Sequence, residues 1–130
     1  MTRQIILPES ERAAYEGFHF APAVRKGELI LCSGQIGIGP DGKVPASPEA
    51  EFRNAWEAVG RILREAGLSF DDILEFTTFH VGLRDHLPTF MKIKDEFVSE
   101  PWPAWTAIGI SELAVPGARV EIRVTAGIKD

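Results

Sequence analysis

Apolar and polar residues alternate without interruption near the carboxyl end of the chain, and this pattern restricts the fold more than any other. The apolar members are Val120, Ile122, Val124, Ala126 and Ile128. The polar members are Arg119, Glu121, Arg123 and Thr125. Because successive side chains of a strand point to opposite faces, the segment is predicted to be a strand with one buried and one polar face. The polar face is then either solvent-exposed surface or the wall of a subunit interface.

A second periodic segment predicts a long amphipathic helix. Between Glu49 and Ala66, apolar residues recur at spacings of three and four, which is the period of a helix with one buried face. Ser47 and Pro48 are the predicted N-cap and first helical residue, and Gly67 is the predicted C-terminal stop. Charged residues within this helix are expected to face water, among them Glu51, Glu57, Arg61 and Glu65.

Shorter patterns predict the remaining elements. Strands are expected at 5–7, 28–33, 72–83 and 104–110, and a second helix from Asp85 to about Val98. Residues 8–27 are predicted to be irregular and residues 34–42 to form a turn, because glycine and proline recur in both. The sequence therefore predicts one α+β domain over residues 1–130, with one sheet and two helices on one of its faces.

Composition and charge exclude several classes of function. Lys and Arg number 14 against 19 Asp and Glu, and the net charge of −5 argues against a nucleic-acid partner. One cysteine, Cys32, excludes an internal disulfide and a thiolate zinc cluster and is expected to be an inert core thiol. The three histidines lack the spacing of a metal site. Apolar runs are too short to span a membrane and no signal-peptide core is recognisable, so a cytoplasmic protein is expected.

Two residues stand out as candidates for chemistry, although each also has an ordinary structural interpretation. Glu121 is an acid on the polar face of a core strand, and it is either a functional carboxylate or an ion-pair partner of Arg119 or Arg123. Trp105 either lines a site or fills the core or an interface. The sequence contains no phosphate loop, dinucleotide-binding fingerprint or serine nucleophile elbow that would decide the matter.

Several short motifs, in their order along the chain, resemble one known family. They are Ser33-Gly34-Gln35-Ile36, Glu65-Ala66-Gly67 followed by Asp71-Asp72-Ile73, Thr77-Thr78, Pro103-Ala104 and Val120-Glu121-Ile122. From about Phe18 to Ile128 the chain resembles the RidA family, also called YjgF or endoribonuclease L-PSP. The resemblance implies a chorismate-mutase-like α+β fold with a mixed sheet. It also implies a homotrimer with small-molecule clefts between subunits, and neither a metal nor an organic cofactor.

The resemblance also implies a reaction, from which this sequence departs at one important position. In active members of the family, a cleft arginine binds the substrate carboxylate, and water attacks an imine carbon to release ammonia and a 2-oxo acid. That arginine follows Pro-Ala, whereas this chain has Trp105 and then Thr106 after Pro103-Ala104. An indole offers one uncharged N–H donor and cannot clamp a carboxylate as a guanidinium does. An anionic ligand is therefore expected to lack its usual anchor.

The retained and altered positions together define the predicted site. Glu121 is the predicted catalytic residue, able to orient or deprotonate water. Phe20 stands where the family usually has tyrosine, and Arg123 replaces the second acid of a Glu-Ile-Glu pattern. Arg123 is either a new cleft cation or an ion-pair partner. The full predicted ligand cleft comprises Phe20, Ser33, Gly34, Gln35, Trp105, Thr106 and Arg123.

Three functions follow as hypotheses, in decreasing order of preference. The first is hydrolysis of an imine, an enamine or a related small metabolite. The second is non-catalytic binding or sensing of a small metabolite by the trimer. The third is the ribonuclease activity that the family label names, which the net charge of −5 disfavours.

Overall fold

Seven strands and three helices make up the chain in the computed structural model, which describes residues 2–128. The strands are β1 (Gln4–Ile6), β2 (Ala23–Lys26), β3 (Leu29–Cys32), β4 (Gln35–Ile36), β5 (Ile73–His80), β6 (Ala104–Gly109) and β7 (Val120–Gly127). The helices are α1 (Arg12–Phe18), α2 (Pro48–Glu65) and α3 (Leu83–Lys94), with 3₁₀ turns at Glu9–Glu11 and Phe70–Asp72. The domain predicted over 1–130 also includes residues 1, 129 and 130, which lie outside the described residues.

The strands form one mixed sheet with β7 at its centre. The order is β1-β2-β3-β7-β5-β6, and β4 also pairs with β7. β5 and β6 are parallel, whereas the other pairs are antiparallel. The apolar positions of β7 are buried from end to end: Val120, Ile122, Val124 and Ala126. The predicted alternation of this strand is confirmed, because a central strand keeps one face against the core along its whole length.

α2 and α3 cover one face of the sheet, as predicted. α2 begins after Ser47, whose Oγ accepts a hydrogen bond from the backbone N–H of Ala50 at 3.3 Å. Trp56 of α2 is fully buried, with its ring centroid 5.3 Å from that of Phe76 on β5 and 6.2 Å from that of Phe97. Because each fully buried large apolar side chain contributes roughly 1.5–3 kcal/mol, this aromatic layer holds α2 against the sheet.

The second predicted helix is displaced toward the amino end. It was expected from Asp85 to about Val98, but α3 begins directly after Gly82, whose φ of 75° lets the chain turn out of β5. Its regular part ends at Lys94, and single turns continue beyond it, with the N–H of Val98 bonded to the carbonyl of Lys94 at 2.9 Å. These turns keep Phe97 directed at the core, which explains why the apolar pattern extends past the helix.

Two segments expected to lack regular structure do contain elements. Residues 8–27 hold α1 and β2, and residues 34–42 hold the short strand β4. α1 buries none of its residues, so it lacks the buried apolar face that marks α2. β2 and β4 are defined by pairing with distant strands, β2 with β3 and β4 with β7, which is not a local property of the sequence.

Candidate active site

A cavity of about 540 Å³ lies where several elements meet beside the central strand. Its walls come from α1, β4, α2, residues 113–115 and one side chain of β7. Four of the predicted site residues line it: Phe20, Gly34, Gln35 and Glu121. The sequence motifs around positions 20, 34 and 121 are therefore brought together by the fold at one place.

Glu121 is positioned by its strand and by the glycine opposite it. On β7 it stands across from Ile36 of β4 and Phe79 of β5. A Cβ atom placed on Gly34 would lie 2.6 Å from Cδ of Glu121, so only glycine leaves the carboxylate room to lie against the backbone here. Among residues 2–128, the half-buried Glu121 carboxylate has no hydrogen-bond or ion-pair partner. It is thus free to bind a ligand or a water molecule.

Neither arginine proposed as an ion-pair partner contacts Glu121 within the described chain. Arg119 bonds instead to Glu51, with the guanidinium Nη1 2.7 Å from Oε1 of that carboxylate. It also donates to the carbonyls of Pro45 and Ala46 at 3.2 and 2.9 Å. Arg123 is exposed and forms no ion pair with any residue in 2–128. Within residues 2–128, Glu121 therefore forms no ion pair with either arginine, and an ion pair across a subunit interface stays a prediction.

Glu51 is the structural carboxylate beside the site, and the expectation that it faces water is wrong. It is 0% exposed, and its Oε2 accepts the backbone N–H of Arg119 at 2.6 Å and that of Val120 at 3.3 Å. With the guanidinium of Arg119 on the other oxygen, the carboxylate is satisfied on both sides. The sequence did carry a signal, because Glu51 lies four residues before the buried Ala55 and so on the same helix face.

Ser33 and Gln35 shape the segment that carries Gly34. The hydroxyl of Ser33 donates to the carbonyl of Ala21 at 2.6 Å, and the side-chain amide of Gln35 donates to the carbonyl of Ser33 at 3.3 Å. The backbone of Gln35 pairs with Ile122 on β7. Gln35 also lines the cavity, whereas Ser33 does not. These two hydrogen bonds therefore hold the backbone of Gly34 against Glu121, and the Ser33 hydroxyl has a structural role.

Trp105 does not line this cavity. It lies on β6 and faces the helices, with its ring stacked on Phe76 at a centroid distance of 5.5 Å and an interplanar angle of 10°. Its indole N–H donates to Oγ1 of Thr78 at 2.9 Å, and that hydroxyl lies 2.7 Å from Nε2 of His80. Nζ of Lys94 lies 5.1 Å from the Trp105 ring centroid. Within one chain, Trp105 thus packs against the core.

Thr106 and Arg123 lie on the sheet face away from the helices and outside the cavity. Both are exposed, and strand register places them on either side of Thr77 of β5. The structure thus brings these two predicted cleft residues to one patch, separate from the cavity that holds Phe20 and Glu121.

Among the other residues that line the cavity, four have charged or aromatic side chains and were not predicted as site residues. They are Glu11, Tyr15, Phe18 and Arg61. Three of them come from the amino-terminal segment that was expected to be irregular, and Arg61 was expected only to face water. Tyr15 and Phe18 are three residues apart on α1, a spacing typical of one helix face, and this is the signal that could have found them.

His80 belongs to the structural part of the molecule. It is buried, and burial together with the nearby His86 lowers the pKa of its imidazole to about 4. Its Nδ1 has no hydrogen-bond partner within residues 2–128. The ring is therefore neutral at pH 7 and bonded through Nε2 to Thr78, so His80 is a hydrogen-bonded structural residue.

Residues 2–128 hold neither a cluster that suits a metal ion nor a reactive thiol. In this range, histidine, cysteine and acidic side chains do not gather in threes close enough to hold a metal ion. None of the helices that the structure describes combines the length and apolar character needed to cross a bilayer. Burial raises the pKa of the Cys32 thiol to about 12, so it stays protonated at neutral pH and is a core residue, as expected.

Comparison with known proteins links this fold to named relatives. The model of the family described as Endoribonuclease L-PSP matches residues 11–128. The RutC family protein YjgH of Escherichia coli is 33% identical over 129 residues, covering 98% of this chain and 97% of that protein. A 2-iminobutanoate/2-iminopropanoate deaminase of Dermatophagoides farinae is 28% identical, covering 79% of this chain and 80% of that protein.

Solved structures give the same result. The structure of the protein YjgH has a TM-score of 0.88 at 33% identity and covers 100% of this chain and 99% of that one. The structure of E. coli TdcF with bound serine has a TM-score of 0.76 at 27% identity, covering 85% and 88% of the two chains. Sequence and structure agree over nearly the whole length, and they confirm the resemblance and the α+β fold. The chain belongs to the RidA/YjgF family, the family whose model carries the description Endoribonuclease L-PSP.

Proposed function

We propose that this protein hydrolyses small imines, or their enamine tautomers, to a carbonyl compound and ammonia in the cavity that contains Glu121. The observation that carries the proposal is the half-buried carboxylate of Glu121, which has no partner in residues 2–128 and faces a cavity large enough for a small metabolite. The deaminase named among the relatives adds to it. Modest positioning suffices, because a protonated imine is already an electrophile.

The chemistry needs one carboxylate and one water molecule. As the water oxygen bonds to the imine carbon, the C=N electron pair moves to nitrogen and the Glu121 carboxylate takes a proton from the water. The protonated Glu121 then returns that proton to the nitrogen of the carbinolamine. The C–N bond breaks and ammonia leaves, while Glu121, again a carboxylate, takes the hydroxyl proton as the carbonyl forms and passes it to the departing ammonia, which leaves as ammonium. Atoms and charges balance without a metal, a redox step or a covalent intermediate on the protein.

We propose further that three copies assemble through the sheet face that lies opposite the helices. The sheet face opposite the helices carries exposed apolar side chains, Leu29, Leu31 and Ile108, which suit an interface between copies. Thr106 and Arg123 lie on this face and are expected to contact a neighbouring subunit, whereas Trp105 faces the helices and packs against the core of its own chain. Sedimentation tests the assembly: a species of three times the 14.3 kDa chain mass is expected, and a 14.3 kDa species at micromolar concentration contradicts it.

Turnover is tested with imines made in situ. 2-Aminoacrylate, a branched-chain imine and phenylmethanimine, which has no carboxylate, are generated in situ, and ammonia release is followed with and without the protein. The protein is expected to accelerate release from at least one of them. Gly34→Ala is expected to lower the rate about tenfold or more, because its Cβ would displace the Glu121 carboxylate.

A matched control comes from another glycine. A Cβ atom placed on Gly17 has no heavy atom within 4 Å, so Gly17→Ala is expected to leave the rate unchanged. Absence of acceleration with every imine contradicts the proposed activity. Equal rates for wild type and Gly34→Ala contradict the role of the Glu121 cavity.

Binding without catalysis is the second candidate, and one observation favours it. The position that the family resemblance gives to a substrate-binding arginine is here Trp105, whose only polar atom donates to Thr78. For this candidate, a metabolite screen is expected to find a ligand that binds the protein, while no imine is turned over. A ribonuclease is disfavoured by the net charge of −5.

A further inference from the structure

The charges and rings that line the Glu121 cavity indicate what kind of molecule it takes. We propose that the cavity selects small organic cations with an apolar or aromatic body, and that its substrate is the protonated imine of an amine without a carboxylate. For the substrate this rests on the proposed imine hydrolysis, whereas the preference for cations can be measured without turnover.

Two unpaired carboxylates give the cavity its negative character. Glu11 and Glu121 both line it, and both are half-buried. Neither carboxylate has a hydrogen-bond or ion-pair partner in the part of the chain that the structure describes. A half-buried charge without a partner is poorly solvated, so a cation that reaches both carboxylates gains more than it would at exposed acids.

One basic side chain, Arg61 on α2, is among the described residues that line the cavity. It is exposed, and among residues 2–128 it forms no ion pair within 4.0 Å, so it neutralises neither Glu11 nor Glu121 directly. Water and salt screen an exposed guanidinium more strongly than a half-buried carboxylate. The two acids therefore dominate the field inside the cavity, and an anionic ligand would have to approach both of them.

Three aromatic rings lie in the same wall. Tyr15, Phe18 and Phe20 all line the cavity, and Phe18 is 77% exposed and Phe20 49% exposed. The face of an aromatic ring is negative and attracts cations, most strongly where water is excluded. Rings beside carboxylates are the combination that recognises an organic ammonium or iminium group with an apolar substituent.

This environment also suits the reaction. The protonated imine is the electrophilic form that water attacks, and a negative cavity favours that form over the neutral one. An imine derived from an amino acid carries a carboxylate, which would lie among Glu11 and Glu121 with only the exposed Arg61 to oppose their charge. An imine derived from a simple amine carries no such charge.

Binding of three probes of similar shape tests the preference. Benzylammonium, benzyl alcohol and phenylacetate are titrated into the full-length protein at pH 7 and followed by calorimetry or by backbone NMR. Benzylammonium is expected to bind at least tenfold more tightly than phenylacetate. Glu11→Gln is expected to weaken benzylammonium binding several-fold, whereas Glu16→Gln on the same segment, exposed and outside the cavity, leaves it unchanged. Equal or tighter binding of phenylacetate, or no binding of benzylammonium at millimolar concentration, overturns the proposal.

Turnover separates this inference from the proposed function. Ammonia release is compared for phenylmethanimine and 2-imino-3-phenylpropanoate, both generated in situ. Faster release from phenylmethanimine is expected. Faster release from the acid, lost in Arg61→Gln, overturns the inference and leaves imine hydrolysis standing. If neither imine is hydrolysed, the proposed function fails, and the binding experiment alone decides whether the cavity selects cations.

Discussion

Two carboxylates stand beside the amino-terminal end of β7 in opposite environments. Glu51 is fully buried and bonded to the backbone N–H groups of Arg119 and Val120 and to the Arg119 guanidinium. Glu121, the next residue along β7, is half-buried in a cavity wall and has no partner within residues 2–128. The same functional group is thus used once to fix the strand and once to face open space.

The difference in hydrogen bonding gives Glu51 a structural role and leaves Glu121 available for chemistry, although both carboxylates lie close to the same end of β7. A buried carboxylate that is satisfied on both oxygens has no capacity left for a ligand, and removing it strands the guanidinium and N–H groups that it holds. A carboxylate without partners contributes little to folding and is available to a ligand. Other side chains share the structural role of Glu51. These are Thr78, His80 and Trp105, which bond to one another on the helix side of the sheet.

The largest effect is expected at Glu51. Glu51→Ala removes one member of a buried ion pair and is expected to lower the free energy of unfolding by about 3–5 kcal/mol. Urea unfolding measures this, with Glu57→Ala on the exposed side of α2 as the control, expected within about 0.5 kcal/mol of wild type. If Glu51→Ala lowers the free energy of unfolding by less than about 1 kcal/mol, the Glu51 carboxylate contributes as little to stability as Glu121 is expected to, and the proposed difference between them is wrong.

The pH dependence of stability tests the assignment of His80. Its pKa is about 4 in the folded protein and about 6.5 when unfolded, so between these values the unfolded chain binds a proton that the folded one does not. Stability is therefore expected to fall as the pH drops from 6.5 to 4, by at most about 1.4 kcal/mol per pH unit from this residue.

Variants isolate that contribution. In His80→Gln the drop between pH 6.5 and 4 is expected to become shallower. The exposed His19, which has a left-handed φ of 62°, is replaced by asparagine as the control, and His19→Asn is expected to retain the wild-type slope. If stability falls equally with pH in wild type and His80→Gln, the pKa of His80 is the same in the folded and the unfolded protein, and the assignment is wrong.

A smaller effect is expected at Trp105. Trp105→Phe keeps an aromatic ring on Phe76 but removes the indole N–H that donates to Thr78, and it is expected to lower stability by about 1 kcal/mol. Trp102→Phe, at an exposed position, is the control and is expected to change stability by less than about 0.5 kcal/mol. If the two variants are equally stable, the Thr78 bond does not anchor Trp105.

The long periodic elements could be predicted from the sequence, and the short ones could not. α2 repeats a helical spacing of apolar residues and β7 repeats a strand alternation, each over eight or more residues. Such long repeats predict the element type clearly, and the buried residues of both elements agree with the prediction. α1 has seven residues and none buried, and β4 has two residues whose strand pairing is with β7. Such elements exist because of tertiary pairing, which no local pattern reports.

The candidate site was predictable in part for the same reason. Gly34, Gln35 and Glu121 lie on or beside elements that the sequence indicates, and the fold brings them together with Phe20. Glu11, Tyr15 and Phe18 lie in an amino-terminal segment that was predicted to be irregular, so their side chains were not assigned to the site, although the spacing of Tyr15 and Phe18 is typical of one helix face. Trp105 was assigned by its position after Pro-Ala, and only coordinates reveal that its ring is stacked on Phe76 within the chain.

The most direct measurement is made on Glu121→Gln, with turnover of an in-situ imine and urea unfolding recorded on the same preparation. We predict that ammonia release falls about 100-fold or more and that the free energy of unfolding stays within about 0.5 kcal/mol of wild type. Glu57→Gln, exposed and outside the cavity, should change neither quantity. A Glu121→Gln protein that releases ammonia at the wild-type rate, or that loses as much stability as Glu51→Ala, would contradict the account.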